Sequence, residues 1–257
     1  MIMCRHLGSG NMLLVFLLGL VVAFGCGDIP GDAKNTGSII NVELIPGVDD
    51  GEDQNTVDAV PGTCVGAEDV QAKPEPFFDH LARAEITNRP LPNTTQQTAS
   101  NLYIRYYTVT YQPIDNTING PLPELLSYAD IPVQDSRGIT PCKPGTSDCA
   151  ATEYILQLFF PVEKKQEYLE RLCGASFDLS VIGDVTYPSW PPTTVAAPTV
   201  PFPQRCVWYA SNGFWYPAIT QGEYNVRYTF HGENYFGVEF TFSDATVALV
   251  TDYNNCD

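Results

Sequence analysis

Alternating hydrophobic and polar positions dominate the C-terminal third of the chain. From Glu223 to His231, Tyr224, Val226, Tyr228 and Phe230 alternate with Asn225, Arg227 and Thr229. A period of two is the mark of a half-buried strand. Gly232-Glu233-Asn234 supplies turn chemistry, and Phe236 to Val250 returns as a second long strand. Its apolar positions are Val238, Phe240 and Phe242, then Ala245, Val247 and Leu249. That change of parity predicts a β-bulge, or a bend between sheets, near Ser243-Asp244. Upstream, Tyr103, Tyr107, Val109 and Tyr111 alternate with Leu102, Ile104, Tyr106, Thr108 and Thr110. Both sets are rich in β-branched and aromatic residues, which predicts a central strand covered on both faces. His80 to Thr87 reads as a shorter strand and Glu153 to Val162 as a strong one. The latter runs into Glu163 to Leu172, where Tyr168, Leu169 and Leu172 suit one short helix, with Gly174 past its end. Several strands with turns, little helix and no βαβ rhythm predict an all-β fold, an antiparallel sandwich.

One stretch breaks the rhythm. Cys173 to Gln221 is longer than a normal inter-strand loop and holds all three Trp: Trp190, Trp208 and Trp215. It opens with Tyr187-Pro188-Ser189-Trp190-Pro191-Pro192, and Tyr209, Phe214 and Tyr216 add to its aromatics. Loops this long in compact domains are usually functional or disordered. Tyr187, Trp190, Trp208, Trp215 and Tyr216 are therefore candidate binding residues, suited to stacking on sugar rings or docking a protein. The competing and favoured expectation is a satellite core packed on an open side of the sandwich. On that reading Trp208 or Trp215 is mostly buried, while Trp190, set among prolines, is exposed.

The N-terminal residues carry an address. Arg5 precedes an apolar run, Met12 to Phe24, too short to span a ~30 Å bilayer comfortably. A basic start, an apolar stretch and small residues before a cut describe a secretory signal peptide, residues 1–25. Val22-Ala23-Phe24-Gly25-Cys26 resembles the lipobox of bacterial lipoproteins, in which the Cys is acylated and becomes the first residue. Lipid chains contribute ~0.8 kcal/mol per buried CH2, so two or three of them anchor stably. Eight Cys are present. Losing Cys4 with the signal and Cys26 to lipid leaves six, which in an oxidising compartment predicts three disulfides. Cys142 and Cys149 flank a short turn and are the first pairing expected. Cys173 with Cys206 would staple the base of the insertion, leaving Cys64 with Cys256.

Composition narrows the function. Thirteen Lys and Arg against thirty Asp and Glu give a net charge of −17, a surface that repels phosphate backbones and argues against nucleic-acid binding. Residues 26–75 are acidic and read as a flexible tether; Ser38 to Ile45, SIINVELI, is the exception, an isolated strand or a partner-binding segment. The Asp cluster between Gly47 and Asp58 does not fit an EF-hand loop, since Pro46 would fall where the first carboxylate belongs. His6, His80 and His231 are scattered, without metal-ligand spacing. No nucleophile elbow or phosphate-binding loop occurs, so no catalytic residue, metal or cofactor is assigned.

The body, residues 76–257 with an insertion at about 174–221, resembles a family of secreted bacterial lipoproteins with a fibronectin type III-like or immunoglobulin-like sandwich. The resembling residues are Tyr107-Thr108-Val109-Thr110-Tyr111, Phe230-His231-Gly232, Gly237 and Asp252-Tyr253. The resemblance implies fold and export, and no catalytic residues. The sequence thus points to a lipid-anchored envelope or cell-surface protein without catalytic activity, serving as a structural or interaction module. A carbohydrate-binding module using the Trp-rich insertion is the alternative. Gly27, rather than Asp, after Cys26 favours the outer membrane where two membranes exist.

Overall fold

A computed structural model describes residues 38–47, 55–64, 73–74, 77–91, 100–114, 120–134, 137–143, 149–174, 178–182, 185–189, 199–211 and 214–252. In chain order the elements are β1 (Ser38–Pro46), β2 (Thr56–Asp58), β3 (Thr63–Cys64), β4 (Lys73–Pro74), β5 (His80–Pro90), β6 (Leu102–Pro113), β7 (Tyr128–Pro132) and β8 (Thr152–Phe160). Helix α1 (Val162–Cys173) follows, then β9 (Asp178–Ile182), β10 (Val185–Ser189), β11 (Cys206–Ser211), β12 (Phe214–Ile219), β13 (Gly222–Asn234) and β14 (Glu239–Thr251).

Two sheets carry the body. One has three strands in the order β1-β5-β8; the other has five, β2-β14-β13-β6-β7. All pairings in them are antiparallel except β14 with β2, which is parallel. The architecture is mostly β and sandwich-like, with one short helix among the described residues. The two inner faces differ in size. Ala82, Ala84 and Ile86 of β5 are buried from the smaller sheet, and the larger one contributes Tyr107, Tyr111, Tyr224, Tyr228, Phe230 and Phe242. Small residues on one layer leave room for rings from the other, which is how a layered core reaches crystal-like density. Edge-on ring contacts link the layers: Tyr111 meets Phe160 at 5.7 Å and 82°, a favoured aromatic geometry.

The sandwich starts earlier than the expected boundary at 76. SIINVELI is neither isolated nor free: β1 pairs with β5 along its whole length, from Ser38 opposite Pro90 to Pro46 opposite Ala82. Ile40 is fully buried, and β2 adds Val57 and a further edge to β14. The acidic composition of the surrounding residues hid two short runs apolar enough to bury. Residues 26–37, 48–54, 65–72 and 75 of the expected tether lie outside the described residues.

Two parity expectations are corrected. β14 stays in one register with β13, from Gly222 opposite Val250 to Glu233 opposite Glu239, without a bulge at Ser243-Asp244. Phe240, Phe242, Ala248 and Val250 are buried on one face, and Asp244 and Thr246 share that face half-exposed. Polar residues are tolerated there because β14 has no hydrogen-bonded neighbour beyond β13 until β2 joins at Leu249. The bulge lies in β6 instead. His231 faces Tyr106 but Gly232 faces Ile104, so Arg105 is the extra residue. Buried positions accordingly step from Leu102 and Ile104 to Tyr107, Val109 and Tyr111. The bulge, not double coverage, makes both parities of β6 look apolar: its other face, with Tyr103, Thr108 and Thr110, is only half-buried.

The bulge rests on a glycine. A Cβ at Gly232 would overlap Tyr103 O and lie 2.6 Å from Phe240 Cζ. Gly232→Ala is expected to lower stability by ~1–3 kcal/mol through overpacking, read as a reduced urea midpoint. An unchanged midpoint would show that β6 passes β13 less closely than this.

The tyrosine layer sets an alkaline limit. Burial raises the phenol pKa of Tyr111, Tyr168, Tyr224 and Tyr228 above the ordinary value, and half-buried Tyr128 is pushed up to about 12, first by burial and then by Glu163. The unfolded chain releases these protons near pH ~10 while the folded chain keeps them. Stability is therefore full below pH ~10 and falls as pH rises above it. Tyrosinate absorbance from this set is expected to appear together with loss of β-sheet circular dichroism. Ionisation of the whole set in a still-folded protein would contradict the packing.

Candidate functional site

Regular backbone fills much of the Trp-rich insertion. β9 pairs with β10 and β11 with β12, each as an antiparallel ribbon. The base is stapled by Cys173–Cys206, Cα atoms 5.4 Å apart. Cys142–Cys149 forms a second disulfide, Cα atoms 5.1 Å apart. Cys64 lies in β3 opposite Lys73; Cys26 and Cys256 lie outside the described residues, so neither the lipidation site nor the third pairing is seen.

Register divides the aromatics of the β11–β12 ribbon between two faces. Trp208 stands opposite Pro217, Tyr209 opposite Tyr216, and Ala210 opposite Trp215. Strand alternation puts Cys206, Trp208, Trp215, Pro217 and Ile219 on one side. This side faces the body: Cys206 and Pro217 are buried, and Trp208 and Ile219 pack against the core. Trp208 Nε1 donates to Cys173 O at 3.0 Å, which locks the indole beside the disulfide. Trp208 and Trp215 are both half-buried, less enclosed than the sequence predicts for one of them. Trp190 lies outside the described residues. Tyr187 sits in β10 opposite Ser180, and its side chain is likewise outside the description.

The other side of the ribbon faces outward with Val207, Tyr209, Tyr216 and Ala218. Val207 is 61% exposed and Tyr209 51%. The Tyr209 and Tyr216 rings stack at 5.7 Å and 27°. Asp252, near Tyr209, has its carboxyl pKa raised by desolvation. Thus, of the five candidate residues, Tyr216 alone is observed on the outward face, and its partner Tyr209 was not among them. The signal that finds Tyr209 is parity: Val207 and Tyr209 must point away from Trp208 once Cys206 is fixed inward by its disulfide.

A second concave feature lies elsewhere, a cleft of about 910 Å³ between β7 and β8, lined by residues including Tyr107, Gln134, Arg137, Glu153, Tyr154 and Gln157. These strands are edges of the two sheets. Exposed edges invite strand addition, yet tyrosine hydroxyls of the opposite sheet already reach this one. Tyr111 Oη donates to Leu158 O at 2.7 Å, and the Tyr107 hydroxyl bonds the backbone of Gln157. The cleft is crossed at one end by Tyr154 Oη, which donates to Arg137 O at 2.8 Å.

The titratable groups do not converge on either feature. His80 on β5 is held down to about 3, first by burial and then by the Lys165 charge, so it is neutral at pH 7. His231 is on the outer face of the other sheet, stacked on Tyr106 at 4.6 Å and 3.2 Å from Thr241 Oγ1. Glu233, on the same outer face as His231, is paired with Arg105. Among the described residues, no three His, Cys, Asp or Glu side chains gather as a metal site.

The two faces of the ribbon have separable roles. Trp208→Ala is expected to cost ~2–3 kcal/mol, since it opens a partly buried cavity and removes a hydrogen bond. Tyr209→Ala should stay within ~0.5–1 kcal/mol of the parent, as exposed substitutions do. Equal losses from both, measured by urea unfolding, would mean that the ribbon's outer face is also packed.

No protein-family model, no curated protein and no solved structure matches this chain. The reading of its function therefore rests on its own residues.

Proposed function

We infer that the protein is a lipid-anchored envelope or cell-surface module that binds a partner and carries out no catalysis. Its body is read as an immunoglobulin-like sandwich of the lipoprotein kind that the sequence resembles. The observation that carries the reading is the outward face of the β11–β12 ribbon. Exposed Tyr209 stacks on half-buried Tyr216, flanked by exposed Val207 and Ala218. Exposed, pre-ordered aromatics on a rigid ribbon are the kind of side chain that dominates binding energy at interfaces. The lipobox-like run ending at Cys26 supports the anchor, and Gly27 supports an outer-membrane destination.

Metabolic labelling with a fatty-acid analogue tests this reading. The chain is expected to take the label and to fractionate with membranes, and Cys26→Ser to lose both. Label that survives Cys26→Ser would remove the anchor. The carbohydrate reading draws on the same stack, because sugar rings pack on exposed tyrosine faces. It predicts retention on immobilised cell-wall polysaccharide that is lost in Tyr209→Ala and insensitive to salt; a charged protein partner would instead be salt-sensitive.

A further inference from the structure

We propose that the β13–β14 turn is a lipid-contacting tip that rests the sandwich on the bilayer to which the chain is tethered; this deepens the membrane-anchor reading and depends on it. Tyr235 and Phe236 form the turn and are 71% and 72% exposed, the most exposed large hydrophobics among the described residues. Their rings meet edge to face at 5.6 Å. Two adjacent aromatics left in water on a turn need an occupant for their surface, and Tyr beside an apolar ring is the pairing favoured at a membrane interface.

The turn is built to hold these rings out. Asn234 is buried, and its Oδ1 accepts from the backbone N–H of both Phe236 and Val238 at 2.9 Å. Asn234 N–H donates to Val238 O, and Gly237 N–H to Asn234 O. Gly237 has φ +75, the left-handed conformation that glycine takes without cost. Tyr235 N–H is tied to Asn101 O at 3.0 Å. Every backbone N–H from Asn234 to Val238 is thus bonded, and the rings project from a fixed loop.

The tip lies at the end of the sandwich where the chain enters. Ile40 of β1 stands opposite Asn88 of β5. Asn88 Nδ2 donates to Ser100 O at 2.9 Å, and the next residue, Asn101, accepts from Tyr235. This short relay places Ser38 and Tyr235 at one end. Cys26 and Ser38 are twelve residues apart, a reach of ~40 Å at most. An anchor at Cys26 therefore keeps this end of the body near the bilayer, at a high effective concentration of lipid surface. Arg105 and Glu233 beside the tip are paired with each other, so the contact does not call for anionic lipid. The occupant is a zwitterionic bilayer.

The test uses the full chain with Phe236→Trp, and Val207→Trp at the opposite end as a control. Each is reconstituted into phosphatidylcholine vesicles, with and without brominated acyl chains, and the emission of the parent chain is subtracted. The added Trp at 236 is expected to shift to the blue and to lose most of its emission to bromine, while the one at 207 keeps a water-exposed spectrum. No quenching at 236 overturns the proposal, leaving the tip to a protein partner or to water. Equal quenching at both positions also overturns it, because it reports unspecific adsorption. Acyl labelling of the same preparations separates the two readings. A labelled chain with an unquenched tip sinks the tip alone, and an unlabelled chain with a quenched tip sinks the anchor alone.

Discussion

A guanidinium buried at the base of the insertion holds the most varied parts of this fold together. Arg205 is 1% exposed. Its Nε and Nη2 donate to Gly120 O at 2.9 and 2.6 Å, and its Nη1 donates to Gln221 O at 3.0 Å. A cation taken out of water is tolerated when it is hydrogen-bonded, and here backbone carbonyls accept from each of its three nitrogens. The next residue, Cys206, is bonded to Cys173 at the end of α1. One dipeptide thus ties the 120–128 segment, the last turn of the helix, the β11–β12 ribbon and the entry to β13. Gly120 presents its carbonyl from φ +78, in the left-handed region open to glycine. Without this junction the ribbon would be a two-stranded hairpin, which is marginal in water by itself.

The helix closes the same end by a related device. Lys164 is buried, with its Nζ donating to Leu126 O and Glu167 Oε2, both at 2.6 Å. The ammonium also lies 4.5 Å from the centre of the Tyr128 ring and 5.0 Å from that of Tyr111, a cation–π arrangement strengthened by desolvation. Glu167 in turn accepts from Leu126 N–H at 2.8 Å and from Arg171 Nε at 2.9 Å. The helix is thus docked by buried charge as well as by Tyr168, Leu169 and Leu172. These charged residues resemble an active site in kind, and geometry explains them as a plug: Lys164 and Glu167 are consumed by backbone groups, rings and each other, and Arg171 by Glu167.

Strand alternation was the most legible layer of the sequence, and it marked β13 from Glu223 to His231; Gly232, Glu233 and Asn234, read as the turn, instead complete that strand, and the turn falls at Tyr235 to Gly237. It misled where one strand sits at an edge or carries a bulge. Ala245, Val247 and Leu249 looked like a core face, yet they sit half-buried on the outer side of β14. The mixed parities of β6 came from Arg105, an extra residue that only the partner strand reveals. Composition misled at β1, because a few β-branched residues inside an acidic stretch are enough for a strand when β5 offers a free edge. The ribbon's aromatics were found as a set, but the set could not be divided into inward and outward members without the disulfide that fixes Cys206. Resemblance at the level of Tyr, Val and Thr alternation is equally blind to such local geometry.

The two exposed aromatic features fall at opposite ends because β13 separates them. It runs thirteen residues from Gly222, beside the β11–β12 ribbon, to Asn234 at the turn, a length of ~40 Å at a strand's rise per residue. Charge fills the surface between them with little to attract an anionic partner. Glu43, Glu85 and Glu153 stand in one row across the smaller sheet, and Arg83 offsets part of that row at 3.3 Å from Glu85 and 3.8 Å from Glu153. Like charges placed opposite one another in a sheet lower its stability. Their row makes the outer face of the smaller sheet acidic, while the three most exposed aromatics among the described residues, Tyr209, Tyr235 and Phe236, lie at the two ends. On the proposed reading, a ligand held at the ribbon would sit one strand length of β13, ~40 Å, from the surface that meets the turn.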